Sequence, residues 1–244
     1  MCTGDKFTDT RTGIEALMEM EIPDSLQPIR NRAINRPKFR GLLHSYFFFI
    51  SIPAGITLVI TAPSPSGKFA AFIFAFGISS MLGISALFHR TKFTDSEWMR
   101  FRRLDHIGIY LCIAGGYTPI AMIAAEGWVQ KTLLITAWVS VALGTTIRFL
   151  PFDPPYGLMN GLFLSMGWVA VLAIPQLIDF LEFEWLLLLG IGGALYTIGA
   201  FIVGLRLPDP WPEIFGYHEI WHAMVVAAAT LHYCVMAFGI IPHA

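Results

Sequence analysis

Two histidines, His218 and His222, lie four residues apart at the start of the last long apolar stretch of the chain. Residues with this spacing share one face of a helix, with β-carbons about 5–6 Å apart, so both imidazoles can reach a single ion. Imidazole nitrogen is a preferred zinc ligand, and catalytic zinc sites use three protein ligands and leave a fourth position open. His89, at the end of an earlier apolar stretch, is the predicted third ligand of this site.

Two more polar residues are predicted to serve the same site. Asp105 follows His89 at the beginning of the next apolar stretch, and Ser85 lies one helical turn before His89. We expect Asp105 either to accept the proton of a water at the metal or to orient one of the histidines. Ser85 is equally well explained by a catalytic role and by packing, because small residues let membrane helices approach closely.

The segment His218–His222 also fits the His-Glu-x-x-His pattern of soluble zinc proteases, in which the glutamate is the general base. Glu219 is rotated about 100° around the helix from its neighbour His218. Glu219 is also expected at the water boundary, where a solvated carboxylate is a better explanation than a general base. Asp105 is therefore the predicted base.

The remaining histidines are predicted to stay outside the site. His232 is ten residues beyond His222 and so about 15 Å deeper along a helix, which suits a helix-packing or proton-carrying role. His44 and His243 lie near helix ends with no obvious partner, and His106 adjoins Asp105 but points elsewhere on a helix; we expect structural roles for all three.

The elements that position these residues are predicted from hydropathy. The chain has 244 residues, of which 55% are hydrophobic and only 14% are charged, whereas about a quarter of a soluble domain is charged. A membrane-spanning helix needs about 20 apolar residues. Seven runs qualify, and the predicted fold is an all-α integral membrane bundle of seven transmembrane helices, at about 41–62, 69–88, 106–125, 132–147, 157–178, 185–205 and 220–242.

The basic residues predict the orientation of this bundle, because Lys and Arg are retained on the cytoplasmic side. Of the 16 Lys and Arg residues, all except Lys68 and Lys131 fall in the N-terminal segment or in connections on the same side of the membrane. Residues 1–40 are therefore expected to form a cytoplasmic arm, and 41–244 a membrane domain whose C-terminus lies outside. This orientation disfavours a rhodopsin-like receptor. It also places His89, Asp105, His218 and His222 at one depth on the cytoplasmic side.

Other features limit the location and partners of the protein. The three cysteines show no Cys-x-x-Cys spacing, and two of them fall inside apolar runs, so we expect no disulfide framework. The N-terminal segment lacks the pattern of a cleaved signal peptide, and the first helix is expected to direct insertion. The predicted location is the plasma membrane, with membrane lipids as partners and no nucleic acid. The oligomeric state stays open.

The sequence resembles the hemolysin III family and the related progestin and adipoQ receptor family, which includes the adiponectin receptors. The matching stretches are Ser85–His89, Leu104–Asp105 through Tyr117–Pro119, and His218–His222 followed by His232. The resemblance implies seven helices with a cytoplasmic N-terminus and a zinc ion bound by His89, His218 and His222. It also implies that Asp105 contacts a water there.

The chain departs from the adiponectin receptors in its short N-terminal arm and in Glu219, where those receptors have an amide. It is more similar to the hemolysin III branch, which argues against hormone recognition. Because the wider superfamily includes alkaline ceramidases, the leading hypothesis is a zinc-dependent hydrolase of a lipid amide or ester, with Asp105 and Ser85 as catalytic residues. The alternative is a non-enzymatic protein, either a cytolytic or pore-forming protein or a sensor, in which zinc only ties helices together.

Overall fold

A computed structural model describes residues 36–149 and 157–244 of the chain. Within these ranges the chain forms seven helices that are long and apolar enough to cross a membrane, which confirms the predicted all-α fold. They are α1 (Leu42–Thr61), α2 (Pro65–Arg90), α3 (Asp95–Ala124), α4 (Gly127–Phe149), α5 (Leu158–Phe180), α6 (Phe183–Leu205) and α7 (Tyr217–His243). Most of the predicted arm, residues 1–35, lies outside the described residues, and the orientation of the bundle stays a prediction.

Side-chain hydrogen bonds at the helix ends explain where α2 and α3 begin. At the start of α2, the hydroxyl of Ser64 accepts a hydrogen bond from the backbone N–H of Gly67 at 3.0 Å, and Pro65 occupies the first turn. At the start of α3, Glu97 accepts hydrogen bonds from the backbone N–H of Thr94 at 2.9 Å and from its hydroxyl at 2.8 Å. Such caps satisfy backbone groups that a helix end leaves free.

The cap at Thr94 makes α3 longer than predicted from hydropathy. The helix begins at Asp95 instead of near residue 106, so Arg100, Arg102 and Arg103 lie on the helix and not in a loop. Hydropathy detects only the lipid-immersed part, whereas a capped helix continues into water. Asp105 therefore lies almost three turns inside α3 instead of at its start.

Three spans contain short segments that are not α-helical. A π-helical segment, Ile120–Ala124, ends α3 directly after Pro119, and another, Val235–Ile240, lies near the end of α7. In α5, a 3-10 segment, Val169–Ala173, separates two α-helical parts. Membrane helices tolerate such segments when neighbouring groups satisfy the freed backbone. All three lie at the end of the bundle opposite His218 or in mid-span.

The centre of the bundle is formed by α2, α3 and α7, which are the most buried spans. The first two pack backbone to backbone. A β-carbon built on Gly77 would lie only 2.5 Å from the carbonyl oxygen of Leu111 and 3.2 Å from the α-carbon of Gly115. Glycine at such crossings permits the close contact on which packing in a membrane depends. The spans that carry the predicted site residues are thus the central ones.

Candidate metal centre

The structure brings the three predicted ligands His89, His218 and His222 together at one end of the bundle. One nitrogen from each ring lies within 4.8 Å of the other two, and the Nε2 atoms of His89 and His218 are 3.2 Å apart. Two nitrogens bound to one zinc at 2.0–2.1 Å and a tetrahedral angle are about 3.4 Å apart. Small side-chain rotations are therefore enough for all three nitrogens to surround one ion.

The end of α2 that presents His89 is fixed by Arg36. The guanidinium group donates to the carbonyl oxygen of His89 and, at 2.7 Å, to that of Thr91. The last carbonyls of a helix have no partner within the helix, and a cation there also offsets the negative end of the helix dipole. Arg36 therefore holds the backbone from which His89 projects.

The carboxylate of Glu219 is buried, with 1% of the residue exposed, which corrects the expectation of a solvated group at the water boundary. One oxygen forms an ion pair with the Nε of Arg40, and the other accepts a hydrogen bond from the backbone N–H of Gly216 at 2.8 Å. The second contact closes the first turn of α7. Because both oxygens are engaged, Glu219 is a structural residue that ties α7 to the segment before α1.

The segment 36–40 crosses this end of the bundle and joins its two sides. The backbone N–H groups of Lys38 and Phe39 donate to the carbonyl oxygens of Glu213 and Ile214 at 3.0 and 3.2 Å. The next residue, Gly41, has a φ of 74°, which favours glycine. A β-carbon there would lie 2.5 Å from that of His89, so the chain passes directly against this predicted ligand.

His44 lies beside the three histidines, and the expectation that it lacks a partner is wrong. Its ring stacks on that of His222, with centroids 3.8 Å apart and an interplanar angle of 11°. The residue is 2% exposed, and neither ring nitrogen has a hydrogen-bond partner among the described residues. A signal was present in the sequence, because His44 starts α1 at the same depth as the other histidines.

Asp105 and Ser85 lie next to the cluster. The Oδ2 atom of Asp105 is 4.0 Å from the Nε2 of His89, the same nitrogen that faces His218. The carboxylate therefore lies on the side of His89 that faces the cluster, and not behind the ring at Nδ1. Ser85 is buried and its side chain lies close to the carboxylate of Asp105.

The other three histidines, including His243, for which no obvious partner was expected, have contacts outside this cluster. His106 donates from Nδ1 to the carbonyl oxygen of Arg102 at 2.7 Å. His243 packs edge-on against Phe180, with centroids 5.5 Å apart. His232 contacts the backbone of α6, where its Nε2 lies 3.3 Å from the carbonyl oxygen of Leu189.

The chemistry of these donors fits zinc. Three imidazole nitrogens from two helices converge, with one carboxylate nearby, and this is the open three-ligand pattern. The two described cysteines, Cys112 and Cys234, are free and take no part in the cluster. Nitrogen and oxygen donors without sulfur suit zinc better than the softer copper(I).

Comparison with known proteins identifies the family. The family described as haemolysin-III related matches residues 32–233, which contain all of these site residues. The chain belongs to this family. It is a multi-pass integral membrane protein, in agreement with its seven apolar helices.

Individual relatives support the same assignment. The chain is 32% identical over 208 residues to hemolysin-3 from Bacillus cereus, covering 84% of this chain and 91% of that protein. It is 30% identical over 203 residues to the hemolysin-3 homolog of Bacillus subtilis, covering 81% and 92%. An adiponectin receptor protein from Drosophila melanogaster is 32% identical over 182 residues, covering 66% of this chain and 40% of the receptor. The resemblance to both branches of the superfamily is thus confirmed.

Proposed function

We propose that the protein is a zinc-dependent membrane hydrolase that cleaves a lipid amide or ester. His89, His218 and His222 hold the metal, and Asp105 and Ser85 act beside it. The observation that carries the proposal is the place of Asp105, whose carboxylate lies 4.0 Å from the ligand nitrogen of His89 on the side facing the cluster. A zinc ion in a three-histidine site polarises a carbonyl and makes water nucleophilic near neutral pH.

The residues of the chain would divide the remaining work. Asp105 accepts the proton of the attacking water and returns it to the leaving group, which is the ordinary role of a carboxylate base. The hydroxyl of Ser85, which lies close to that carboxylate, would donate a hydrogen bond to Asp105 and hold it in position. The burial of His89, His222 and Ser85 keeps bulk water away, which strengthens each electrostatic contact.

The competing proposal is that zinc only ties helices together. It is supported by the origin of the ligands, because His89 belongs to α2 and the other two to α7. A purely structural zinc site is usually closed by four protein ligands. The three convergent nitrogens and the neighbouring carboxylate therefore favour the hydrolase.

The test uses purified, zinc-loaded protein in detergent and a panel of N-acyl and O-acyl lipids, with release of fatty acid as the measurement. Asp105→Asn is expected to lower turnover by about 10²–10⁴-fold while the zinc content by mass spectrometry stays unchanged. Asp95→Asn, the same change at an exposed position on the same helix, is the matched control and should retain both properties.

Two results would contradict the hydrolase. One is the absence of release from every lipid in the panel by zinc-loaded wild-type protein. The other is unchanged turnover in Asp105→Asn. If removing zinc instead lowers the unfolding temperature of a protein without hydrolytic activity, the structural role of the metal is supported.

A further inference from the structure

An apolar groove follows the seam between α1 and α7. It has a volume of about 410 Å³, within the usual range of ligand pockets. The one hydroxyl in its wall, that of Thr230, donates to the carbonyl oxygen of Val226 at 2.8 Å, so no polar group of the wall needs a partner. The lining includes Leu43 and Phe47 from α1 and Ala223, Ala227, Thr230 and Leu231 from α7.

The groove begins beside the histidine cluster. Val226 lies one helical turn after His222, and Phe47 lies one turn after His44, so both walls continue the faces that carry the stacked imidazoles. From Ala223 to Leu231 the wall extends about 12 Å, which approaches half of the roughly 30 Å hydrocarbon core. The groove is therefore about one leaflet long, and the lining residues at one end, Leu43 and Ala223, are the sequence neighbours of the stacked His44 and His222.

A second apolar groove, of about 350 Å³, meets the first at Leu43. Its lining includes Phe39 and Phe215, which precede α1 and α7, and Tyr46. Aromatic residues at this level are typical of the membrane–water interface. Because the two grooves share Leu43, apolar surface extends from the interface, past the residue before His44, towards the middle of the membrane.

His44 supplies hydrogen-bonding capacity at the head of this path. A neutral imidazole offers one donor and one acceptor, and both nitrogens of His44 are buried without a partner among the described residues. Leaving such groups unpaired is costly, so the carbonyl of an incoming lipid is a favourable partner. Leu43 and Phe47, the lining residues nearest to His44 along α1, are only partly buried and can change rotamer without backbone movement.

We infer that the α1–α7 groove binds the acyl chain of a membrane lipid and that a ring nitrogen of His44 donates a hydrogen bond to the carbonyl at the head of that chain. An acyl lipid has its polar carbonyl at one end and an apolar tail about one leaflet long. The site has the same arrangement, with histidines at one level and an apolar groove extending from that level. This inference rests on the proposed function for the fate of the lipid but not for its binding. His44 would place the carbonyl beside the three metal ligands.

The test is photo-crosslinking with an N-acyl amide that carries a diazirine in the middle of an 18-carbon chain. One equivalent of this probe is added to zinc-loaded protein in detergent, and the adducts are mapped by mass spectrometry. Adducts are expected on the groove residues Phe47, Ala227 and Leu231. Ala227→Phe fills the groove and should reduce the yield of these adducts at least about tenfold. Ala194→Phe, the same change at an exposed position on α6, should leave them unchanged.

His44→Phe tests the hydrogen bond. It preserves a ring that can stack on His222 and removes both nitrogens, so adducts at the groove should fall about tenfold with the zinc content unchanged. Unchanged labelling in both Ala227→Phe and His44→Phe, or adducts spread over α4, α5 and α6, would overturn the inference. If the groove is labelled but no lipid is cleaved, the inference stands and the hydrolase fails. If both variants cleave lipid at the wild-type rate, the inference fails and the hydrolase stands.

Discussion

Helix α7 carries two polar regions within the membrane, and they have different environments. At its start, His218 and His222 face His89, with nitrogens of all three rings within 4.8 Å. Ten residues further along, His232 lies alone against α6, where Nε2 is 3.3 Å from the carbonyl oxygen of Leu189 and the ring lies 5.5 Å from that of Tyr196. A histidine in a membrane helix thus becomes a candidate ligand only when other helices bring further donors to it.

The two regions also differ in how they are held. The first is fastened by residues from the segment before α1, through the buried pair Arg40 and Glu219 and through Arg36 on the last carbonyls of α2. The second is held by packing, since a β-carbon on Gly192 would lie 2.5 Å from the ring of His232. A site whose donors come from separate helices needs additional contacts that hold those helices together. A single side chain packed against one neighbouring helix does not.

The largest expected difference between the regions is in zinc affinity. His222→Ala removes one of three ligands. Structural zinc sites bind the ion with a free energy of about 10–16 kcal/mol, so losing one ligand should weaken zinc binding by about 4 kcal/mol or more. His232→Ala, the same change on the same helix, should leave zinc binding intact. Metal content after dialysis, measured by mass spectrometry, separates them. Equal zinc contents in the two variants would remove the distinction between the regions.

Next in size is the effect of the buried ion pair. Arg40→Met or Glu219→Leu alone leaves an uncompensated buried charge and should lower the free energy of unfolding by about 3 kcal/mol. The double variant removes both charges and should recover most of the loss, because an apolar pair of similar volume avoids the cost of desolvation. Unfolding in detergent measures all three proteins. Additive losses in the double variant would contradict the pairing.

A smaller effect is expected at Gly41. Gly41→Ala places a β-carbon in a backbone conformation that costs about 1–2 kcal/mol, and it also brings that carbon against His89. We expect the free energy of unfolding to fall by about 2 kcal/mol or more, and zinc binding to become weaker. Gly127→Ala is the matched control, since Gly127 has a φ of 62° but nothing within 4 Å of its added β-carbon. Identical behaviour of the two variants would show that the contact with His89 has no consequence.

The smallest effect is expected from two small side chains that lie close to polar groups of neighbouring helices. Ser85→Ala removes the hydroxyl beside Asp105 and should lower turnover of a cleaved lipid about tenfold, or ~1.4 kcal/mol. Cys112→Ala removes the thiol beside Tyr196, whose ring faces His232 in the second region, and should leave turnover unchanged. An equal decrease in both variants would mean that Ser85 acts through packing alone.

The residues that were predicted to lie near one another, and do so in the structure, are those with a clear pattern in the sequence. His218 and His222 have the spacing of neighbours on a helix, and His89 and Asp105 follow from their depth in the membrane. Depth alone was insufficient for His44 and Glu219. The first was expected to lack a partner but stacks on His222, and the second was expected in water but is paired with Arg40.

The sequence by itself determined that the chain forms seven membrane-spanning helices, which family it belongs to, and that histidines from α2 and α7 share one level. Those features follow from local hydropathy, helical spacing and order along the chain. Only the tertiary structure decided that His44 stacks on His222, that Arg40 pairs with Glu219, and that an apolar groove lies between α1 and α7. The reason is geometric, because sequence fixes how deep a residue lies along its helix, whereas the rotation and packing of the helices determine which side chains meet.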